Sequence, residues 1–324
     1  MSHAADAAAY PSRTAERDRW IVRRRPPRNV VSDDRPYASF VEDEVDASGT
    51  IRRVATIFLT NRECPYRCLM CDLWQNTLEH TVRAGAIAAQ IDLALDGLPP
   101  TTVVKLYNSG SFFDPRAIPP EEHPGIASRL ARFERAIVEC HPAFVGPPVA
   151  RFRDLLPGEL EVAMGLETAN PDVLERLNKR MTLDSYAAAA STLRGFGVAS
   201  RAFVLVQPPF QPAEDAVDWA VRSASFAFDH GAGAVSLIPV RSGNGALDAL
   251  AAAGTFEPPT LATVERAVDG ALALGRGRVF ADTWDLERFS RCPDCLPARA
   301  ERLRRLNDSQ RREPAVACAR CSPG

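Results

Sequence analysis

Three cysteines in one short stretch carry the chemistry most open to inference. They lie in Cys64-Pro65-Tyr66-Arg67-Cys68-Leu69-Met70-Cys71, with three residues and then two between the sulfurs. Thiolates are soft ligands that favour iron–sulfur clusters or zinc. A structural zinc usually takes four protein ligands from paired short motifs, and this loop offers three. Three thiolates suit a cluster that leaves one metal position open, where a small molecule can bind and be activated.

A second group comprises Cys292-Pro293-Asp294-Cys295 and Cys318-Ala319-Arg320-Cys321. Paired CxxC motifs are the usual form of a four-cysteine zinc site. An auxiliary iron–sulfur cluster would need the same four thiolates, so both metals stay open. The Arg-rich residues 296–317 between the pairs read as a helix, either a grip for RNA backbone or a solvated face. Cys140 stands alone.

These groups need a frame. Residues 54–60 are β-branched and apolar, and read as a buried strand running straight into the cysteine loop. Similar runs occupy 103–106, 136–140, 160–166, 202–206 and 234–238. Helical periodicity marks 84–98, 125–133, 183–195, 213–228 and 260–274. Strict alternation implies parallel strands with right-handed crossovers. The expected fold class is α/β, a partial (β/α)6 TIM-type barrel over 49–275. Residues 1–48 read as an N-terminal extension, partly disordered, and 276–324 as a C-terminal four-cysteine metal-binding segment. Functional groups of parallel barrels gather at the C-terminal strand ends. That rule selects Asn108, Ser109 and Gly110 after the second strand, Glu139 after the third, Glu167 after the fourth, and Arg241 in a Gly-rich loop after the sixth. A glycine there permits close backbone approach to a ligand. A carboxylate ending an apolar run needs a partner.

The cysteine loop, set just after a first barrel strand, resembles the signature of the radical S-adenosylmethionine (radical SAM) superfamily. The resemblance implies a 4Fe-4S cluster held by Cys64, Cys68 and Cys71, with S-adenosyl-L-methionine chelated by the fourth iron. It implies a one-electron reductant such as flavodoxin or ferredoxin, and a 5′-deoxyadenosyl radical that abstracts hydrogen from substrate. Many members carry Gly-Gly-Glu after the second strand. The Asn108-Ser109-Gly110 version here is similar to the radical SAM subunit of archaeosine synthase and to the elongator catalytic subunit. By this resemblance Asn108, Ser109, Gly110 and Glu167 bind S-adenosylmethionine, and Met70 takes a place that is often aromatic. The substrate implied is an RNA nucleoside or a small molecule.

Bulk properties set the outer limits. The chain has 324 residues, is 46% hydrophobic and 25% charged, and carries a net charge of −2, an ordinary globular composition. That balance gives no support to wholesale nucleic-acid binding. No apolar run approaches the ~18 residues of a membrane span, and no signal pattern opens the chain, so a cytoplasmic location is expected. Basic residues are almost all arginine; Lys105 and Lys179 are the only lysines. Arginines between positions 13 and 28 precede an acidic stretch, which reads as a basic arm for RNA or as a solvated leader. A second class of function stays open: a non-catalytic, zinc-stabilised binding protein, which would be colourless.

Overall fold

The computed structural model describes residues 9–321. Seven strands run parallel: β2 (Ile51–Phe58), β3 (Val103–Tyr107), β4 (Arg135–Glu139), β5 (Glu159–Glu167), β6 (Ala199–Val206), β7 (Ala234–Pro239) and β8 (Arg278–Ala281). An eighth, β1 (Ala38–Val45), pairs antiparallel with β2. Spatial order follows chain order, giving one curled, partial-barrel sheet. The hairpin β1–β2 turns at Asp46, whose carboxylate accepts from the backbone N–H of Ser48 and Thr50, with Gly49 at φ +83°. All six strands read from the sequence are present; β1 and β8 extend the sheet at its two edges.

Helices α1 (Thr14–Val22), α2 (Ala86–Gly97), α3 (His123–Leu130), α4 (Pro147–Leu155), α5 (Pro171–Arg176), α6 (Leu183–Gly195), α7 (Ala216–Asp229), α8 (Ala246–Ala252), α9 (Leu261–Leu272) and α10 (Leu296–Ser309) complete the described elements. The main core lies between strands and outer helices, where Ile57, Leu106 and Val138 meet Ile87, Ile91, Ile126 and Leu130. Alternate strand residues point the other way, into the barrel.

The barrel interior is charged at its floor. Arg201 of β6 pairs with Glu44 of β1 at 2.6 Å and with Glu161 of β5. Lys105 of β3 reaches Glu44 at 2.6 Å and Glu42 at 2.9 Å. Burial alone would raise the Glu44 carboxyl, but Arg201 and Lys105 pull it well below the ordinary carboxylate range. Buried charges survive only when paired and hydrogen-bonded, and this set ties four strands at one level.

Residues 9–48, expected as an extension and partly disordered, are folded onto the barrel through α1 and β1; residues 1–8 of that expected segment lie outside the described residues. Three of the arginines are turned inward: Arg17 pairs with Glu175, and Arg25 and Arg28 with Glu63, while Arg13, Arg19 and Arg23 are exposed. At the other end, α10 covers the free edge of β8. The Asn307 amide accepts from Ala281 N at 2.7 Å and donates to Ala281 O at 3.0 Å. Gln310 does the same for Val279, at 2.7 and 3.0 Å. Two side-chain amides thus stand in for a neighbouring strand and protect the edge. Arg299 and Arg302 of this helix turn inward onto Glu265 and Asp269, leaving them unavailable to an RNA backbone.

Candidate metal and cofactor site

Strand β2 is held at its exit before the cysteines begin. Thr60 donates its N–H to the Gln90 amide at 2.7 Å and accepts from it at 2.8 Å. The loop is then pinned at successive points. Leu69 N donates to Leu177 O at 2.9 Å. The Asn178 amide donates to Arg67 O at 2.7 Å, and the Asn244 amide to Leu69 O at 2.8 Å. Arg67 donates to the carbonyl of Cys64 at 2.7 Å. Met70, half-buried, packs on the apolar group that contains Trp20, Leu177 and Leu247.

Burial pushes the thiols up, Cys64 to about 11, Cys71 to about 12 and Cys68 well above its usual value. Such thiols are protonated alone; metal coordination would deprotonate them outright. The donor set fits a cluster. Among the described residues, Cys292, Cys295, Cys318 and Cys321 gather their sulfurs within 4.8 Å of one another, and the loop cysteines do not. One tetrahedral zinc with Zn–S near ~2.3 Å draws four sulfurs to about 3.8 Å apart. Cys292 and Cys318 stand at 3.9 Å and Cys295 and Cys321 at 3.7 Å, the spacing of a single ion.

Around the cysteines the strand ends are strained. Ser109 after β3, Glu167 at the end of β5 and Gln207 after β6 have φ of 54°, 66° and 55°. Three non-glycine residues in the left-handed region at the ends of β3, β5 and β6 are uncommon, and such outliers cluster at functional sites. Glu167 follows a bulge in the β5–β6 register. It forms a buried ion pair with Lys179, which also donates to Gly165 O at 2.6 Å. His141 accepts at Nδ1 from Ala143 N at 3.1 Å, so its Nε2–H donates to Lys179 O at 3.0 Å. Burial and Lys179 hold this imidazole down to about 3, hence neutral, and Tyr66 of the cysteine loop stacks on it at 4.1 Å.

The stretch Asn108-Ser109-Gly110 sits against the cysteines. A Cβ at position 110 would lie 3.3 Å from that of Cys64, a tight contact. The backbone N–H groups of Asn108 and Gly110 donate to Glu139, at 2.5 and 3.3 Å. Burial pushes the Glu139 carboxyl up to about 7. The Asn108 side chain is buried with both amide atoms unpartnered, the signature of a group awaiting a ligand. Ser109 Oγ contacts the Tyr37 hydroxyl at 3.0 Å. Arg241, selected in the sequence after the sixth strand, is paired with Asp282 at 2.8 Å.

Below the mouth the interior is lined by rings. Tyr37 and Phe40 meet Phe58 at 5.4 and 5.9 Å, Phe58 meets Tyr107 at 5.9 Å, and Tyr107 meets Phe203 at 6.1 Å. All five remain partly exposed, so this level of the barrel is open where the ionic floor is filled. Sequence reasoning missed these rings, together with Tyr37, Lys179 and Asn178. Lys179 alone carried a signal, as one of two lysines in an arginine-biased chain.

No protein-family model matches the chain. It is similar to an uncharacterized protein of Methanocaldococcus jannaschii, 25% identical over 65% of this chain and 62% of that one. It is similar to archaeosine synthase subunit beta of Methanosarcina acetivorans, 25% identical over 70% of this chain and 68% of the relative. The same subunit of Thermococcus kodakarensis is 30% identical over 40% of this chain and 42% of the relative. The chain thus spans less than two thirds of the length of two of these relatives. Two of the three are archaeosine synthase subunits, which the Asn108-Ser109-Gly110 stretch resembles. Solved structures with a similar fold include Elp3 of Methanocaldococcus infernus, 13% identical over 67% of this chain and 57% of that one, TM-score 0.49. Methylornithine synthase is 12% identical over 68% of this chain and 64% of its own, TM-score 0.48.

Proposed function

We propose that this chain is a radical SAM enzyme, with a 4Fe-4S cluster on Cys64, Cys68 and Cys71 and S-adenosyl-L-methionine beside it. The observation that carries this reading is the shared mouth. Tyr66 of the cysteine loop stacks on His141, which donates to Lys179 O at 3.0 Å, and Lys179 pairs with Glu167, so the cysteine loop adjoins the strained end of β5. The cluster, once bound, would supply the electron that cleaves S-adenosylmethionine, and a one-electron donor such as flavodoxin or ferredoxin would recharge it.

The chain's own residues would then do three things. Asn108 would pair its free amide with the cofactor, while Ser109 and Gly110 allow close approach. Lys179 would pair with Glu167 and orient it in a buried place. The rings from Tyr37 to Phe203 would form a dry wall, which suits a planar substrate. Two relatives are named for archaeosine synthesis, which favours an RNA nucleoside over another small molecule. The four C-terminal cysteines would hold zinc rather than a second cluster, on their spacing. No described helix is long and apolar enough to cross a membrane.

Anaerobic reconstitution with iron and sulfide, then incubation with dithionite and S-adenosylmethionine, tests the reading. A brown protein that releases 5′-deoxyadenosine and methionine is the expected result. A colourless protein that releases neither overturns it and leaves the zinc-stabilised binding protein.

A further inference from the structure

The residue before the first cysteine is Glu63, and three guanidiniums converge on it. Arg25 stands at 2.8 Å, Arg67 at 3.0 Å, and Arg28 closes on the second carboxylate oxygen. Glu63 and Arg25 side chains are each only 10% exposed. One more carboxylate, that of Glu79, approaches Arg28 at 3.8 Å but is 84% exposed, so water screens it. The same N-terminal stretch also grips the far side of the loop. Arg28 donates to Trp74 O at 2.6 Å and to Thr77 Oγ1 at 2.8 Å. Arg25 lies over the Trp74 ring at 4.5 Å, and Asn29 N donates to Gln75 O at 2.9 Å. Residues 25–29 therefore clasp the cysteine segment on both flanks. Arg25, Arg28, Glu63, Cys64 and Arg67 line one pocket of about 360 Å³, so the charges and the first cysteine share one space.

Three partly buried guanidiniums on one carboxylate leave excess positive charge beside Cys64. Charge in a poorly solvated place acts over longer range than charge in water. The reduction potential of a thiolate-ligated cluster depends on nearby net charge. Positive charge stabilises the reduced form, which carries one more electron.

We infer that Arg25, Arg28 and Glu63 are positioning residues of the cysteine loop and set the reduction potential of the metal cluster it holds. The inference rests on the cluster reading above. Arg28 raises the potential and Glu63 lowers it, and the N-terminal stretch is an integral wall of the site.

The test is a redox titration of the reconstituted full chain, followed by electron paramagnetic resonance. Arg28→Gln removes positive charge and should shift the midpoint to lower potential. Glu63→Gln removes negative charge and should shift it to higher potential. Arg28→Lys keeps the charge and should restore the midpoint. Loss of packing alone has no sign, so opposite shifts are the decisive result. Midpoints that stay at the wild-type value, or move in the same direction for both variants, overturn the proposal. Should either Gln variant fail to hold iron, Arg25→Gln and Arg25→Lys carry the same comparison. A wild-type chain that takes up no cluster refutes the underlying reading instead, and the two failures are separate.

Discussion

Lys179 closes an ion pair with Glu167 over the face of Gly165. A Cβ on Gly165 would collide with both the Glu167 carboxylate and the Lys179 ammonium. The lysine rises from the segment after α5, and the carboxylate sits at the left-handed end of β5. Both side chains are below one-tenth exposed. Removing one partner of a buried pair strands the other, at a cost of about 3–5 kcal/mol. Lys179→Met should therefore lower the urea midpoint strongly, and Lys179→Met/Glu167→Gln should recover most of the loss. A double variant no better than the single would show that the pair is not the source.

Glu139 gives the chain a pH-dependent component of stability. Its carboxyl is pushed up to about 7 from an ordinary 4.5 by burial. Between those values the folded state keeps a proton that the unfolded state has lost, so stability falls as pH rises through the window. The contribution is fully present below about pH 4.5 and lost above about pH 7. Glu139→Gln keeps an acceptor for Asn108 N and Gly110 N and cannot ionise. Its urea midpoint, relative to wild type, should rise between pH 5 and pH 7.5. An unchanged difference across that range would refute the assignment.

The two cysteine groups should part company on mutation. Cys64→Ala, Cys68→Ala and Cys71→Ala should each lose most of the iron and the brown colour while keeping about one zinc per chain. Cys292→Ala/Cys295→Ala should lose the zinc and keep the iron. Metal analysis of anaerobically purified protein reads both. Iron lost from the second variant would mean that the C-terminal quartet holds a cluster.

Zinc removal should also loosen the barrel edge. Cys295 is the residue before α10, and that helix carries the amides of Asn307 and Gln310 that satisfy β8. A chelated sample should show faster amide exchange at Val279 and Ala281, with β3 and β4 unchanged. Equal protection with and without metal would show that α10 stays docked unaided.

The ionic floor predicts a sharp asymmetry. Arg201→Met leaves Glu161 and Glu44 without their guanidinium in the interior and should cost about 3–5 kcal/mol. Removing an exposed pair such as Arg222–Asp218, about 60% exposed on both sides, should cost under about 1 kcal/mol. Thermal melts of the two variants make the comparison.

The sequence alone determined the frame. Apolar runs of strand length alternating with helical periodicity located six of the seven parallel strands, because burial on both faces writes itself as local composition. The cysteine spacings and the strand-end positions of Asn108, Ser109, Gly110 and Glu167 were legible for the same local reason. β8, four residues long, and β1, with its acidic alternation, were not. Their stability comes from distant partners: Asn307 and Gln310 for one, Arg201 and Lys105 for the other. The tertiary structure decided which charges matter. Arg17, Arg25, Arg28, Arg299 and Arg302 looked like surface and are internal, because ion pairing depends on distance in space and not along the chain. It also showed that the N–H groups of Asn108 and Gly110 serve Glu139, and that the four C-terminal sulfurs lie at the spacing of one ion. Spacing in sequence names the possible ligands; only their convergence in space says how many metal atoms they can hold.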